Sequence, residues 1–506
     1  LARAPDLSLA EKRLLVDQAL VMLQEFYVHL PLKSAMHAVE PIQRLRLLRH
    51  RLDAGGGLGD GTPDMAFHAE LTRIFTDLRD LHTNYLLPRP FNAMAAFLPY
   101  FVEVCFDDAG APSYVVSKVV AGFDTDAFVD GVEALHWNGV PMARAVALNA
   151  ERMAGSNEAA SLARGLDGLT MRPMIRVLPP DEEWVTLRYR GLDGAVREIT
   201  HPWRVVDMAD APRRVSPDAG DLLATALGYD LQTDAIHQVK KRLIAPQVEA
   251  LEARIAENTL SMAADRGLVT TLPTVFRADE VDTAHGRFGL MRIFTFNVPD
   301  ADAFVEEFTR LVEELPQTGL ILDVRGNGGG SILAAEGLLQ VLTPRKIEPE
   351  SAQFINSAWT RALCERHAPS AIIPGLSLGA WTDSIKQSVT TGAVFSRSVP
   401  IVDAAWCNRL GQRYYGPVVL ITDALCYSAT DMFAAGFKDH GIGTVLGTAE
   451  NTGAGGANVW THTLLLRLLL GADGCPLEPL PRGAGMRVSI RRTLRAGEQA
   501  GTPVED

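Results

Sequence analysis

Apolar residues recur at helical spacing over residues 9 to 52, with Leu14, Leu15, Ala19, Leu20, Met22, Leu23 and Phe26 marking one face. The Gly-rich stretch Gly55 to Gly61 ends that unit, and a second helix is predicted around Met65 to Leu78. Beyond it, in Arg79-Asp80-Leu81-His82-Thr83-Asn84-Tyr85-Leu86-Leu87-Pro88, the helical period gives way to a strand. From Phe97 to about Val206 the pattern is one of short strands: Tyr100 to Phe106, Ser113 to Val119, Gly131 to Trp137 and Trp184 to Tyr189. Within it, Asp130 to Met142 reads as a strand, a tight Asn138-Gly139 turn and a short return. Residues 207 to 262 read as helical again through Ala235 to Ile255, with a kink or break at Pro246.

From Gly286 onward strands and helices alternate: strand Phe288 to Phe296, helix Ala301 to Leu315, strand Gly319 to Val324, helix Ile332 to Leu342. A second strand-turn-helix follows at 417 to 439. The fold class is therefore α/β with crossover helices, and the chain divides into a helical region at 1–96, a β-rich module at 97–206, a helical linker at 207–280 and an α/β core at 281–506. A length of 506 residues with 47% hydrophobic and 22% charged content is ordinary for a well-cored protein of several domains.

Charge narrows the partners. The formal net charge is −13, and the basic cluster Arg482 to Arg495 is interspersed with apolar residues rather than forming a stripe, which argues against nucleic acid. Five scattered cysteines, Cys105, Cys364, Cys407, Cys426 and Cys475, lack any Cys-x-x-Cys spacing and so predict neither a disulfide framework nor a zinc site. No run reaches eighteen apolar residues, so no membrane span is expected. The first residues, Leu-Ala-Arg-Ala-Pro, carry neither a start Met nor a signal-type apolar core, which leans toward a cytoplasmic setting.

Two strand-to-helix corners carry the candidate chemistry. In Leu320-Ile-Leu-Asp-Val-Arg-Gly-Asn-Gly-Gly-Gly330, Gly326, Gly328, Gly329 and Gly330 permit positive φ and bring N–H groups close to a ligand, braced by Arg325 and Asn327. A dinucleotide turn would need glycine where Ser331 stands, and no Lys-Ser or Lys-Thr follows for a phosphate loop. In the second corner Ser428 opens a helix whose buried face is Met432, Phe433 and Phe437. A serine there is most often an N-cap, yet the helix N-terminus and the Ala429 N–H also favour developing negative charge. One hydroxyl and two sources of bare N–H groups are the minimum equipment for acyl transfer.

These segments resemble the carboxyl-terminal processing, or tail-specific, serine peptidases and the related core of tricorn protease. The matching stretches are Asp80-Leu-His-Thr83, Leu320 to Gly330, Ser428-Ala-Thr-Asp-Met-Phe-Ala434, and Asp439-His-Gly441 leading to Thr444 to Gly447, with Phe288 to Phe296 as the opening strand. The resemblance covers roughly 65 to 90 and 285 to 506. It implies a ClpP/crotonase-like core, a PDZ-like identity for the 97–206 module, Ser428 as nucleophile, and an oxyanion hole built from the Ala429 N–H and Gly328 or Gly329. Tail-specific peptidases carry a lysine base in the loop read here as Thr448 to Asn458, which has none, and Lys438 is better read as a helix-end charge. The tricorn-like pattern implies His82 as base, since an unperturbed imidazole titrates close to the operating range for taking a serine proton, and Glu505 as its orienting carboxylate; Leu81 stands where that pattern has a serine.

His136 and His440 are rival bases. His440 falls at the far end of the helix that Ser428 opens, and packing beside Trp137 accounts for His136. Asp323 and Asp431 read as capping or dipole residues, and Glu450 as a solvated loop charge. The expected function is that of a soluble serine endopeptidase of the tail-specific and tricorn-like type, acting on peptide or unfolded protein without metal or organic cofactor and compatible with a homo-oligomer. Two alternatives stay open: a binding protein on the same scaffold, as among retinoid-binding relatives, and a small-substrate esterase or amidase.

Overall fold

A computed structural model describes residues 7–54, 64–208, 243, 267–369 and 377–505. The helix expected at Ala235 to Ile255 and the kink at Pro246 lie outside the described residues, as does nearly all of the 207–262 stretch.

The N-terminal apolar pattern resolves into separate helices. Leu9–Val21 opens on a capping box in which Ser8 and Glu11 bond each other's backbone N–H. It runs on as a π-helical turn, Met22–Phe26, and is followed by Leu30–His37, Pro41–Asp53 and Asp64–Thr76. Ala38, at φ 51°, ends the second of these. The predicted face is corrected in one respect: Leu14 and Leu20 are only half-buried, whereas Lys12 and Gln18 are buried. Each polar side chain is partnered, Lys12 by Asp64 at 3.1 Å and Gln18 by the Pro476 carbonyl at 2.9 Å, which is what makes its burial tolerable.

These helices share a core with a five-stranded antiparallel sheet ordered Asn84–Leu86, Gly485–Leu494, Ser351–Phe354, Val399–Pro400, with Ala457–Thr461 also paired to Gly485–Leu494. The basic cluster at 482–495 is thus mostly a central strand. Arg487 and Arg491 are buried in it, Arg487 bonded to Asn84 Oδ1 at 2.8 Å and Arg491 to Asn458 Oδ1 at 2.6 Å among the rings of Phe354, Trp381 and Trp460.

Between 100 and 202 an antiparallel sheet runs in the order Tyr100–Phe106, Pro112–Val119, Glu133–Trp137, Trp184–Arg190, Val196–Pro202. Asn138 and Gly139, at φ 47° and 81°, form the predicted tight turn. Two helices that the strand pattern did not reveal, Met142–Ala150 and Glu158–Thr170, interrupt the strands and pack on each other. Their approach is close because a β-carbon at Gly165 would meet Ala150 Cβ at 2.8 Å.

The last sheet is six-stranded, ordered Gly267–Leu268, Phe276–Thr283, Gly286–Ile293, Leu320–Asp323, Val418–Thr422, Thr444–Gly447. Its last four strands are mutually parallel. Their apolar residues, among them Ile293, Leu322 and Leu420, pack on helices Ala301–Glu314, Ile332–Leu339 and Ala429–Asp439 through Phe304, Leu338 and Phe433. Parallel strands release their following turns at one end of the sheet, so the corners after Asp323 and Thr422 emerge side by side.

Candidate active site

The two corners are cross-braced. Both oxygens of Asp423 accept the Gly326 N–H at 2.9 Å, the Tyr427 N–H donates to the Asn327 carbonyl at 3.2 Å, and the Asn327 amide donates to the Ile293 carbonyl at 3.1 Å. Gly329, at φ 98°, lies directly against the second corner: a β-carbon there would sit 2.6 Å from Ser428 Cβ and 2.8 Å from the Ala429 nitrogen. Only glycine combines that backbone with that approach.

Ser428 stands at φ 59°, ψ −127°, a conformation that non-glycine residues rarely adopt. It precedes helix Ala429–Asp439 but makes no side-chain cap, so the ordinary role of a serine at a helix start is not filled here. Only 7% of the residue is exposed. Among the described residues the N–H groups of Gly328 and Ala429 take no hydrogen-bond partner, whereas that of Gly329 is engaged by Asn327 Oδ1 at 3.0 Å. Unused N–H groups beside a turn-held hydroxyl are suited to receiving an oxyanion.

His82 comes from the other end of the chain. Its turn is fixed by Asp80, which accepts the His82 N–H at 2.8 Å and the hydroxyls of Thr83 and Ser489 at 2.9 Å each. Arg487 adds a bond to the Leu81 carbonyl at 2.9 Å, and strand Asn84–Leu86 pairs with Gly485–Leu494. The buried imidazole packs on Tyr427 with ring centroids 4.5 Å apart, and the Tyr427 hydroxyl reaches Asp80 at 3.4 Å. On Tyr427 also rests the guanidinium of Arg164, 5.1 Å from the ring centroid. Burial opposes ionisation of Asp80, but the fields of His29, His82 and Lys33 and the Ser489 hydroxyl hold its carboxyl down at about 2.

Glu505 is delivered by the end of the chain. After strand Gly485–Leu494 the backbone turns, Leu494 bridges to Pro503, and Val504 lies over Gly456, where a β-carbon would collide with it. The Glu505 carboxylate is 2% exposed; its Oε1 meets Lys33 Nζ at 2.6 Å and Ser156 Oγ at 2.7 Å. Burial pushes its pKa up, against the pull of the Lys33 ammonium and the Ser156 hydroxyl.

The 448–458 loop is tied back onto the same elements. Asp431 accepts from the Thr452 hydroxyl and from the Gly455 N–H at 2.8 Å, the Gly453 N–H donates to the Cys426 carbonyl at 2.6 Å, and Asn157 holds the Thr452 carbonyl at 2.7 Å. Burial lifts the Asp431 carboxyl to about 6 in spite of those donors. His440 is occupied at the far end of its helix, with Nδ1 on the Gly436 carbonyl and Nε2 taking the Glu348 N–H. Asp323 is paired with Arg292 and Arg325. Lys438 and Glu450 are exposed. No group of three or more His, Cys, Asp or Glu is gathered for a metal among the described residues.

Four residues of this assembly had no role in the sequence reading: Lys33, Ser156, Arg164 and Tyr427. Lys33 and Ser156 lie far from the motifs in order, and only the close of the N-terminal helices and of the 97–206 module onto residue 505 brings them in. Tyr427 adjoins Ser428, and nothing in the local pattern of that corner marks it out.

Residues 287–495 match the family model described as Peptidase family S41. No curated protein matches the chain at a significant level. Among solved structures, mature CPAF is similar at 16% identity over 98% of this chain and 92% of that one, with a TM-score of 0.63. Mature CPAF complexed with lactacystin gives 16% identity, 98% and 93% coverage and a TM-score of 0.62. A photosystem II D1 C-terminal processing protease is aligned at 14% identity over 98% of this chain and 90% of that one, with a TM-score of 0.36. The first two likenesses show a shared fold. Through residues 287–495 the chain carries a peptidase family S41 domain, which makes it a serine-type peptidase.

Proposed function

We propose that Ser428 is the nucleophile of this peptidase, that His82 takes its proton and returns it to the leaving amine, that Glu505 orients the imidazole, and that the Ala429 and Gly328 N–H groups receive the oxyanion. Of the two glycines expected for that hole, Gly328 is preferred because the Gly329 N–H is already bonded to Asn327. The acyl-enzyme forms as the peptide C–N bond breaks, and water activated by His82 then releases the acyl group. The observation that carries the reading is Ser428 held at φ 59° without a capping bond while the 326–330 turn lies against it. A tricorn-like base is favoured over a lysine. The 448–458 loop holds no lysine, Lys438 is exposed, and the buried Lys33 is paired with Glu505.

The substrate is a peptide or an unfolded protein, and the 97–206 module is assigned a PDZ-like role in presenting it. The proposed units remain 1–96, 97–206, 207–280 and 281–506. Among the described residues no helix is long and apolar enough to cross a membrane. Hydrolysis of a denatured protein by the wild type and by Ser428→Ala, His82→Ala and Glu505→Gln tests the assignment. Losses of about 10³-fold or more are expected for the first two, with folding intact. Wild-type rates in Ser428→Ala would remove that residue from the mechanism.

A further inference from the structure

We propose that Lys33 and Ser156 are positioning residues for Glu505, which together fix its carboxyl group and tie it to the turn that carries His82. The inference rests on the catalytic reading above and assigns a role to two segments outside the 287–495 domain: the N-terminal helix Leu30–His37 and the 97–206 module.

The geometry is specific. Lys33 and Glu505 are both fully buried side chains, and their contact at 2.6 Å is the only ion pair that Glu505 makes among the described residues. Ser156 Oγ stands 2.7 Å from the same oxygen and 3.1 Å from the carbonyl of Arg79, and Lys33 Nζ lies 3.5 Å from that carbonyl. Arg79 is held at φ 52° and leads straight into Asp80-Leu81-His82. One carboxylate oxygen and the turn before the histidine therefore both lie within reach of the same two side chains, the ammonium of Lys33 and the hydroxyl of Ser156. The other oxygen, Oε2, is buried without a hydrogen-bond partner among the described residues, and on the catalytic reading it is the one assigned to the imidazolium.

Electrostatics gives the pair a task beyond packing. Among the described residues the groups whose fields bear on Glu505 include Lys33, Asp80, Tyr27 and Tyr427, and of these Lys33 is the cation, set against one like charge and two phenols. Burial beside Asp80 already lifts the Glu505 carboxyl to about 8 against the pull of Lys33; without the ammonium it rises further, because an uncompensated buried charge is far more costly than a neutral acid. A neutral Glu505 no longer stabilises the imidazolium that forms when His82 accepts the serine proton. It regains that ability only at a pH high enough to ionise it.

The test is the pH dependence of kcat/KM between about 5 and 10 for the full chain and for Lys33→Met, Ser156→Ala, Glu505→Gln and the two double variants with Glu505→Gln. Lys33→Met is expected to lower kcat about tenfold near neutrality with KM within about twofold, and to displace the acidic limb upward by about one pH unit. Ser156→Ala is expected to lower kcat about tenfold. Both effects should shrink to less than about threefold in the Glu505→Gln background, since each acts through that carboxylate. A pH-independent loss in Lys33→Met, or losses that persist in full on Glu505→Gln, would overturn the proposal. If Lys33→Met does not fold, the Ser156→Ala cycle decides alone by the same criterion. A Glu505→Gln enzyme as fast as wild type would end both this inference and the catalytic role of Glu505. A slow Glu505→Gln beside a fast Lys33→Met and Ser156→Ala would end only the inference.

Discussion

The rings of His82 and Tyr427 lie 4.5 Å apart, centroid to centroid, so that the residue preceding Ser428 is in contact with a histidine from the opposite end of the chain. Tyr427 is the spacer on which that meeting depends: His82 packs on its ring, Arg164 rests on it, and Gly453 and Gly455 lie so near that β-carbons there would come within 2.6 Å and 2.5 Å of ring atoms. Tyr427→Phe keeps the ring and gives up only a 3.4 Å hydroxyl contact to Asp80, so its kcat should fall by less than about threefold. Tyr427→Ala leaves a void between three elements and should cost about 3–5 kcal/mol in denaturant unfolding as well as most of the activity. Equal behaviour of the two variants would mean that the ring does not set the distance.

Ser428 makes a second, independent prediction, because its backbone is in a glycine-favoured region. Ser428→Gly should raise the unfolding free energy by about 1 kcal/mol through relief of that conformation, while Ser428→Ala, which keeps the β-carbon, should not. Both should lack peptidase activity. Thermal and denaturant unfolding of the three proteins measure this directly, and a Ser428→Gly less stable than wild type would contradict the strain argument.

At Gly329 the two corners touch, and the substitution Gly329→Ala is expected to damage catalysis more than folding. Its β-carbon would sit 2.5 Å from the Tyr427 carbonyl and 2.6 Å from Ser428 Cβ, at a φ of 98° that alanine adopts poorly. Displacing the Ser428 corner by such an amount should lower kcat about 100-fold, read against an active-site titration that counts intact enzyme. An alanine variant with unchanged kcat would show that the 326–330 turn is not part of the reacting assembly.

Much of this arrangement was legible in local pattern, and some was not. The strand-to-helix switches at 320–332 and 418–429 are announced by short apolar runs stopping at glycine or serine, and the structure places Leu320–Asp323, Val418–Thr422 and Thr444–Gly447 where those runs lie. Helices Met142–Ala150 and Glu158–Thr170 each have an apolar face, Met142, Ala145 and Val146 in the first and Leu166 and Leu169 in the second, and they escaped because the strand patterns on either side dominate that stretch. Arg487 and Arg491 look like surface charge in one dimension; only their pairing with Asn84 and Asn458 across neighbouring strands explains their burial. Lys33, Ser156 and Glu505 belong to three remote segments, and no local rule brings such residues to one oxygen.

A pH prediction comes from the core of the α/β unit, away from the site. Glu336 is buried, with Oε1 accepting the Glu350 N–H at 2.8 Å, and burial pushes its carboxyl up to about 8 from an ordinary 4.5. Its folded pKa lies above its unfolded one, so the stability it contributes is complete below about 4.5 and is lost as pH rises through about 8. Glu336→Gln has no proton to lose, and its carbonyl can still accept from Glu350. The stability difference between variant and wild type should therefore move in favour of the variant by up to about 1.4 kcal/mol per pH unit across that window, measured by urea unfolding at several pH values. A difference that does not change with pH would show that Glu336 does not titrate there.

The most direct test of the central claim is covalent. A fluorophosphonate reacts with an activated serine hydroxyl and leaves an adduct that peptide mass spectrometry locates. The account predicts one adduct on the peptide carrying Ser428, loss of hydrolysis in proportion to labelling, and no adduct in a folded Ser428→Ala. An adduct on a different residue that tracks inactivation, or undiminished hydrolysis by Ser428→Ala, would contradict it.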